Sequence, residues 1–137
     1  MSARLERLVY ESRATGSTGS LTNLAAILAE SQRNNDRDGL TGVLAAHGER
    51  YIQVIEGPPA TLDNLLKRLN GDRRHREVSI IGREPISARH FGNWTMASAR
   101  ISPAQAVALD RLIEAEDPTA DRIVDLLSEA LDAASVN

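Results

Sequence analysis

The chain has 137 residues, a length that suits one compact domain with one hydrophobic core. Apolar residues make up 42% and charged residues 26%, which is ordinary for a globular protein and argues against disorder. The formal net charge is -3, so the protein as a whole has no bulk attraction for nucleic acid or an anionic membrane. No cysteine is present, which excludes disulfides, thiolate metal sites and cysteine nucleophiles. The sequence shows neither a signal peptide nor a membrane span, so we expect a cytoplasmic protein.

Hydrophobic periodicity divides residues 1–101 into strands and helices. The strand over residues 5–12 places Leu8, Tyr10 and Ser12 on one face. In chain order, the pattern predicts a strand at 5–12, a helix at about 20–33, a polar break at 34–39, a hairpin of strands at 40–47 and 50–56, a helix between Pro58 and Gly71, a strand from Val78 that reaches at most Ile86, and a strand from Trp94 to Ile101.

This order, βαββαββ, is the ferredoxin-like pattern with one additional strand. Each helix has an apolar stripe that needs a sheet to cover it, so we expect an α+β fold with both helices on one face of a five-stranded mixed sheet.

Two further helices are predicted in the tail. The segment Ser102-Pro103-Ala104-Gln105 has the form of a capping box with proline at the first helical position, and Asp117-Pro118 repeats the cap and the proline. We therefore divide the chain into an α+β unit over residues 1–101 and a C-terminal helical extension over residues 102–137.

Polar residues at positions where an apolar one is expected are the informative sites. Gln53 shares a strand phase with Tyr51 and Ile55 and suits either an edge strand facing water or a buried amide. Tyr10 suits an ordinary core tyrosine, and Asn34-Asn35 suits a helix C-terminus. Together, however, Tyr10, Asn35 and Gln53 supply a phenol and two amides beside a crevice between sheet and helix. Such a set suits a flat heterocycle with an imide edge, such as a flavin ring.

The segment from Lys67 to Arg76 is strongly basic. It is typical of a solvated helix end, and it also suits an anion site for a phosphate, because guanidinium groups bind phosphate in a forked geometry.

Five blocks of the sequence, in the same order, resemble the BLUF family of blue-light sensors that use FAD. The resemblance covers about residues 5–100, and its blocks are Arg7 to Ser12, Ser31 to Val43, Arg50 to Pro58, Asp72 to His75 and Phe91 to Met96.

The resemblance implies FAD bound non-covalently between the first two helices, although FMN remains an alternative. It implies that Asn35 contacts the C4=O and N3–H edge of the ring, and that Gln53 contacts N5 and O4 and bonds to the Tyr10 hydroxyl. The other implied roles are Asn34, Arg68 and Asp72 at the C2 edge and ribityl side, Arg74 and His75 toward the phosphates, and Trp94 and Met96 beside Gln53.

The implied function is that of a blue-light photoreceptor and not of an enzyme. Excitation would draw an electron and a proton from Tyr10 and leave the Gln53 hydrogen bonds rearranged. The signal would pass through the last strand and the tail helices to an unidentified partner protein or to the interface of a homo-oligomer.

Two other functions remain open at this point. Arg73, Arg74 and Asn35 could serve an acylphosphatase-like hydrolase, although the loop after the first strand lacks the arginine that such an enzyme needs. A flavin-free interaction module, with the tail helices as a dimer surface, is the other alternative. A metal site is not expected, because the three histidines lack ligand spacing.

Overall fold

The computed structural model describes residues 4–14, 21–47, 50–70, 75–92, 96–99, 101–114 and 120–135. The elements in chain order are β1 (Leu5–Ala14), α1 (Leu21–Asp38), β2 (Thr41–His47), β3 (Arg50–Gly57), α2 (Pro59–Asn70), β4 (His75–Ile86), β5 (Ala97–Ala99), α3 (Pro103–Glu114) and α4 (Ala120–Ser135).

The strands form one sheet in the order β4-β1-β3-β2-β5. The first four are mutually antiparallel neighbours, and the short β5 pairs parallel with β2. Strands β1 and β3 lie at the centre and pair from Glu6↔Gly57 to Arg13↔Arg50. The predicted α+β class is confirmed, since four antiparallel strands form one sheet on which the helices pack.

Both faces of the sheet are covered by helices. Strand β3 is apolar in both of its side-chain phases, apart from Arg50, Gln53 and Glu56, and seven of its eight residues are buried. A strand with this composition needs cover on each side. Helices α1 and α2 pack on what we call the α1–α2 face, whose buried core is Leu8, Tyr10, Ile27, Leu40, Leu44, Tyr51, Ile55, Leu62, Leu69 and Met96.

Helices α3 and α4 pack on the opposite side, which we call the α3–α4 face. Its buried core is Val9, Val43, Ala45, Ile52, Val54, Phe91, Ala99, Leu109, Ile123, Val124, Leu126, Leu127 and Ala130. The tail helices therefore share a hydrophobic core with the strands of the sheet.

Helix α1 is longer than predicted, because it continues through the polar stretch to Asp38. Gly39, with φ of 70°, ends it, and the Leu40 N–H donates to the Asn35 carbonyl at 2.8 Å. This is the Schellman arrangement, in which glycine adopts the left-handed conformation that other residues avoid. The predicted break at residues 34–39 was wrong, because the stop signal is Gly39 and not the two asparagines.

The later strands also differ from the prediction. Strand β4 begins at His75, three residues before Val78, because its pairing with β1 continues to Ala14↔His75. Strand β5 is described only over Ala97–Ala99, so most of the predicted strand from Trp94 to Ile101 lies outside it. Within the described ranges, none of the helices combines the length and apolarity that crossing a membrane requires.

Candidate functional site

Tyr10 and Gln53 lie opposite each other on the two central strands, on the α1–α2 face. The Tyr10 hydroxyl donates to Gln53 Oε1 at 2.5 Å. Both side chains are buried, with 0% and 3% exposure. A hydrogen bond in such a low-dielectric setting is stronger than the same bond in water, and an unmet polar group there is costly. The structure thus contains the bond that the family resemblance implies.

Gln53 is not an edge-strand residue that faces water, which was one of the two sequence interpretations. Its strand lies between β1 and β2, where Leu44 is its neighbour on the other side. Among the described residues, the bond from Tyr10 is the one that the structure gives to this side chain. Because a glutamine amide carries two donors and an acceptor, its remaining capacity is available to a ligand.

Asn35 is buried inside α1, with 1% exposure, and Asn34 beside it is half-buried. Successive helical residues point about 100° apart, so the two amides face different directions. Both asparagines lie within α1, which continues to Asp38. The expectation that they follow the helix as a cap was wrong. The helix presents Asn35 to the interior.

Arg68 lies in the last turn of α2 and reaches α1. Its Nη1 donates to Asp38 Oδ2 at 3.1 Å, while its Nη2 is buried and has no hydrogen-bond partner. A buried guanidinium N–H without an acceptor is unfavourable, and a carbonyl oxygen of a ligand would satisfy it. The sequence analysis singled out Arg68 but missed Asp38, which resembles an ordinary polar residue at a helix end.

Two arginines act on the Asp38 carboxylate. Arg37 Nε and Nη2 donate to it at 2.8 and 3.0 Å. The hydrogen bond from Arg37 is the main cause that lowers the pKa of Asp38 below its ordinary value, and the bond from Arg68 adds to it against partial desolvation. Asp38 is therefore ionised at neutral pH and carries its charge at the end of α1.

Met96 is buried within the core of the α1–α2 face, as Tyr10 is. Its backbone carbonyl accepts a hydrogen bond from Gln32 Nε2 at 3.1 Å, which ties the start of β5 to α1. Gln32 was missed by the sequence analysis. The signal was its position three residues before Asn35, which places both on neighbouring turns of one helix side.

The remaining predicted residues are not placed by the structure. Asp72, Arg74 and Trp94 lie outside the described residues, and His75 is described only as the first backbone position of β4. Within the described ranges, His, Asp and Glu side chains form no group of three or more that could hold a metal ion.

A second buried polar centre lies on the α3–α4 face. The Glu56 carboxylate has 0% exposure and accepts from Arg7 Nε and Nη2 at 3.1 and 3.0 Å. It also accepts from the backbone N–H groups of His90 and Phe91 at 2.9 and 2.7 Å. Both carboxylate oxygens are thus used in holding the segment after β4 against the sheet, which is a structural role.

The described site combines a phenol, two amides and a guanidinium with an unpaired donor on one face of an antiparallel sheet, under two helices. The family model for sensors of blue light using FAD matches residues 5–97, more than half of the chain. The chain belongs to this BLUF family. The matched region is a sensor domain and not an enzyme.

The curated relatives are longer proteins that contain such a domain. The photoactivated adenylate cyclase subunit beta of Euglena gracilis is 33% identical over 96 residues, which are 69% of this chain and 11% of the relative. The alpha subunit of the same organism is 29% identical over 99 residues, which are 72% of this chain and 10% of the relative. The chain thus spans about a tenth of the length of these two cyclase subunits.

Solved structures show the same fold over more than nine tenths of this chain. The dark-state structure of BlrB, a BLUF protein, is 31% identical with a TM-score of 0.75, and the match covers 98% of this chain and 99% of BlrB. A bacterial light-regulated adenylyl cyclase is 30% identical with a TM-score of 0.66, over 96% of this chain and 35% of the cyclase. The photo-activated state of BlsA has a TM-score of 0.79 at 22% identity, over 93% of this chain and 94% of BlsA, which shows the fold alone.

Proposed function

We propose that this chain is a blue-light photoreceptor that binds FAD non-covalently between α1 and α2. The observation that carries the proposal is the buried hydrogen bond from Tyr10 to Gln53, on the sheet face that α1 and α2 cover. A phenol bonded to an amide in a buried site is an unusual choice for a core that is otherwise Leu and Ile, with Tyr51 and Met96. A flavin bound beside the pair would explain why these two polar side chains are buried there.

The described polar groups suit the pyrimidine edge of a flavin. That edge offers two carbonyl acceptors on either side of an N–H donor. Asn35 can meet the donor and one acceptor, Gln53 has spare amide capacity, and Arg68 has a buried Nη2 that lacks an acceptor. We assign Asn34 to the same edge, and we assign Asp72, Arg74 and His75 to the ribityl chain and phosphates by family resemblance alone.

When bound, the flavin supplies the absorption of blue light and the capacity to accept an electron. Tyr10 gives up an electron, and its hydroxyl proton moves along the bond toward Gln53 Oε1. When both return, the Gln53 side chain is rotated or tautomerised, with donor and acceptor exchanged. In a buried site the two arrangements differ in energy more than they would in water, so one amide can act as a switch.

We propose Met96, which is buried in the same cluster as Tyr10, as the neighbour that responds to the switch. A changed Gln53 would alter the packing of Met96, whose carbonyl Gln32 holds, and hence the position of β5 on β2. We propose Trp94 as a second neighbour, a ferredoxin-like topology for the whole sheet including β5, and residues 102–137 as the output or oligomerisation unit. The output is then a shifted population of arrangements at a partner or homo-oligomer interface.

A light-minus-dark visible spectrum tests the proposal. Purified protein should be yellow, release FAD on denaturation, and show a small red shift under blue light that reverses in darkness. Release of FMN would correct the cofactor but leave the mechanism. A colourless protein that takes up no added flavin would refute the proposal and favour the flavin-free interaction module.

Three substitutions test the mechanism. Tyr10→Phe and Gln53→Leu should each bind flavin and lose the red shift. Tyr51→Phe is the matched control, because Tyr51 is also buried on the α1–α2 face, two residues from Gln53, and should keep the photocycle. A complete photocycle in Tyr10→Phe would contradict the mechanism even with flavin bound.

A further inference from the structure

An ion pair joins the ends of the two helices that cover the α1–α2 face. Asp38, the last residue of α1, accepts from Arg68 in the last turn of α2, with 3.1 Å between Oδ2 and Nη1. Neither residue belongs to the apolar packing of the face. The pair therefore bridges α1 and α2 through charge, next to the residues assigned to the flavin.

The backbone fixes where the Asp38 carboxylate can lie. Gly39, in the left-handed conformation, ends the helix directly after it, and the Leu40 N–H closes the turn on the Asn35 carbonyl. The same closing bond uses Asn35, so the amide assigned to the flavin and the carboxylate at the helix end are held by one capping motif. The Asp38 side chain is only 19% exposed.

Arg68 is planar, so fixing one of its nitrogens fixes the direction of the others. The bond to Asp38 occupies Nη1, while Nη2 is buried without an acceptor. The structure thus shows a guanidinium that is oriented on one side by a carboxylate and free to donate on another.

We propose that Asp38 is a positioning residue: it holds the Arg68 guanidinium so that Nη2 meets a carbonyl oxygen of the flavin pyrimidine edge, and it offsets part of the positive charge there. This inference rests on the proposed function. The Asp38–Arg68 pair then influences the reduction potential of the bound flavin, because nearby charge stabilises or destabilises the reduced form.

Removing either member of the pair should shift the reduction potential of the bound flavin, in opposite directions. Asp38→Asn deletes the negative charge and leaves Arg68 unopposed, so the potential should become more positive. Arg68→Gln deletes the cation and leaves Asp38, so the potential should become more negative, and flavin binding should weaken by about tenfold with the loss of a charge-assisted hydrogen bond.

The experiment is a spectroelectrochemical titration of the holoprotein, with flavin affinity measured by fluorescence quenching. Asp36→Asn is the matched control, since it removes the same charge from an exposed position on the same helix and should leave the potential unchanged. Asp38→Glu, which keeps the charge, should stay nearer to the wild-type potential than Asp38→Asn. Opposite shifts in Asp38→Asn and Arg68→Gln support the inference, because a merely structural pair would not reverse the sign.

Shifts of the same sign, or no shift in Asp38→Asn, would overturn the inference while flavin binding by the wild type leaves the proposed function standing. A wild-type protein that binds no flavin would overturn both. If Asp38→Asn fails to fold, Asp38→Glu and Arg68→Gln decide the question, since a wild-type potential in Arg68→Gln contradicts the pairing.

Discussion

The two faces of the sheet bury polar groups in different ways. On the α3–α4 face, the buried carboxylate of Glu56 has its oxygens occupied by Arg7 and two backbone N–H groups. On the α1–α2 face, within the part of the chain that the structure describes, the Gln53 side chain has one hydrogen bond, from Tyr10, and Arg68 Nη2 is buried without an acceptor. Because a buried polar group costs free energy unless it is paired, the Glu56 centre is complete within the chain, whereas the Gln53 amide and Arg68 Nη2 have capacity that a ligand can use.

The α3–α4 face also buries Glu11 Oε2 and Arg50 Nη1 without a hydrogen bond, but these two atoms face each other as an ion pair at 3.8 Å. Burial alone does not distinguish Glu56 from Gln53, since their side chains are 0% and 3% exposed. Among the described residues, the number of hydrogen bonds distinguishes them, because Glu56 accepts four and Gln53 accepts one. We therefore expect substitutions on the α3–α4 face to act on stability, and those around Gln53 to act mainly on the flavin.

The largest expected effect on stability is that of Glu56→Ala. The substitution leaves Arg7, which is 14% exposed, and the N–H groups of His90 and Phe91 without their acceptor. Breaking a buried, hydrogen-bonded ion pair of this kind costs about 3–5 kcal/mol. Urea unfolding of the apoprotein measures the change in the free energy of unfolding.

Asp63→Ala is the control for Glu56→Ala. Asp63 also pairs with an arginine, Arg83 at 2.7 Å, but its side chain is 60% exposed, so the loss should be at most about 1 kcal/mol. Equal losses in the two variants would show that Glu56 is not a structural centre, and the comparison of the two faces would fail.

A smaller effect is expected for the Tyr10–Gln53 pair in the apoprotein. Tyr10→Phe should cost about 0.5–1.5 kcal/mol, and Gln53→Leu about 1–3 kcal/mol, because the second leaves the phenol without this acceptor. The double variant removes both partners, so its cost should be about 1 kcal/mol less than the sum of the two. Urea unfolding of all four proteins gives the coupling, and strict additivity would mean that the bond adds nothing to the fold.

The sequence predicts the Tyr10–Gln53 pair better than the Glu56 centre. Tyr10 and Gln53 interrupt apolar strands of period two, so each is visible as an exception, and the hairpin and helix order place them near one another. Glu56 resembles an ordinary strand end before Gly57-Pro58, and nothing local reveals that Arg7 and Phe91, 49 and 35 residues away, converge on it. Partners set by tertiary packing are not encoded in any short pattern.

The end of α1 shows the same limit. Asparagines commonly end helices, and the sequence interpretation stopped the helix at Asn34, whereas the glycine five residues later ends it. The sequence also gives no sign of Asp38 as a site residue, because its contact is with Arg68, 30 residues away on another helix. Local rules identify the amino acids suited to a flavin, but not the charge that orients them.

Acid should remove a small stabilisation from the α1–α2 face. The Arg37 hydrogen bond, with Arg68 in support, lowers the pKa of Asp38 below its ordinary value of 3.8. A carboxylate whose pKa is lower in the folded state stabilises the fold at pH values above its pKa in the unfolded state. This stabilisation is lost as the pH falls through its pKa in the folded state. The pair is partly exposed, so the contribution is at most about 1 kcal/mol. The free energies of unfolding of wild type and Asp38→Asn, measured by urea from pH 6 to about pH 3, should converge as the pH falls.

One contact on the α3–α4 face, between Glu84 and Asp121, should respond to pH with the opposite sign. The hydrogen bond with Asp121 at the start of α4 raises the pKa of Glu84 on β4 above its ordinary value of 4.5, with help from desolvation and against the nearby Arg7. A protonated Glu84 donates to the Asp121 carboxylate, so this contact stabilises at low pH and is lost as pH rises through the raised pKa. Glu84→Gln keeps a donor at every pH, so its stability relative to wild type should increase as pH rises from below the ordinary glutamate pKa. A relative stability that falls instead would place the Glu84 pKa below its ordinary value. The contact between α4 and the sheet would then depend on Arg7, and protonation would weaken both faces alike.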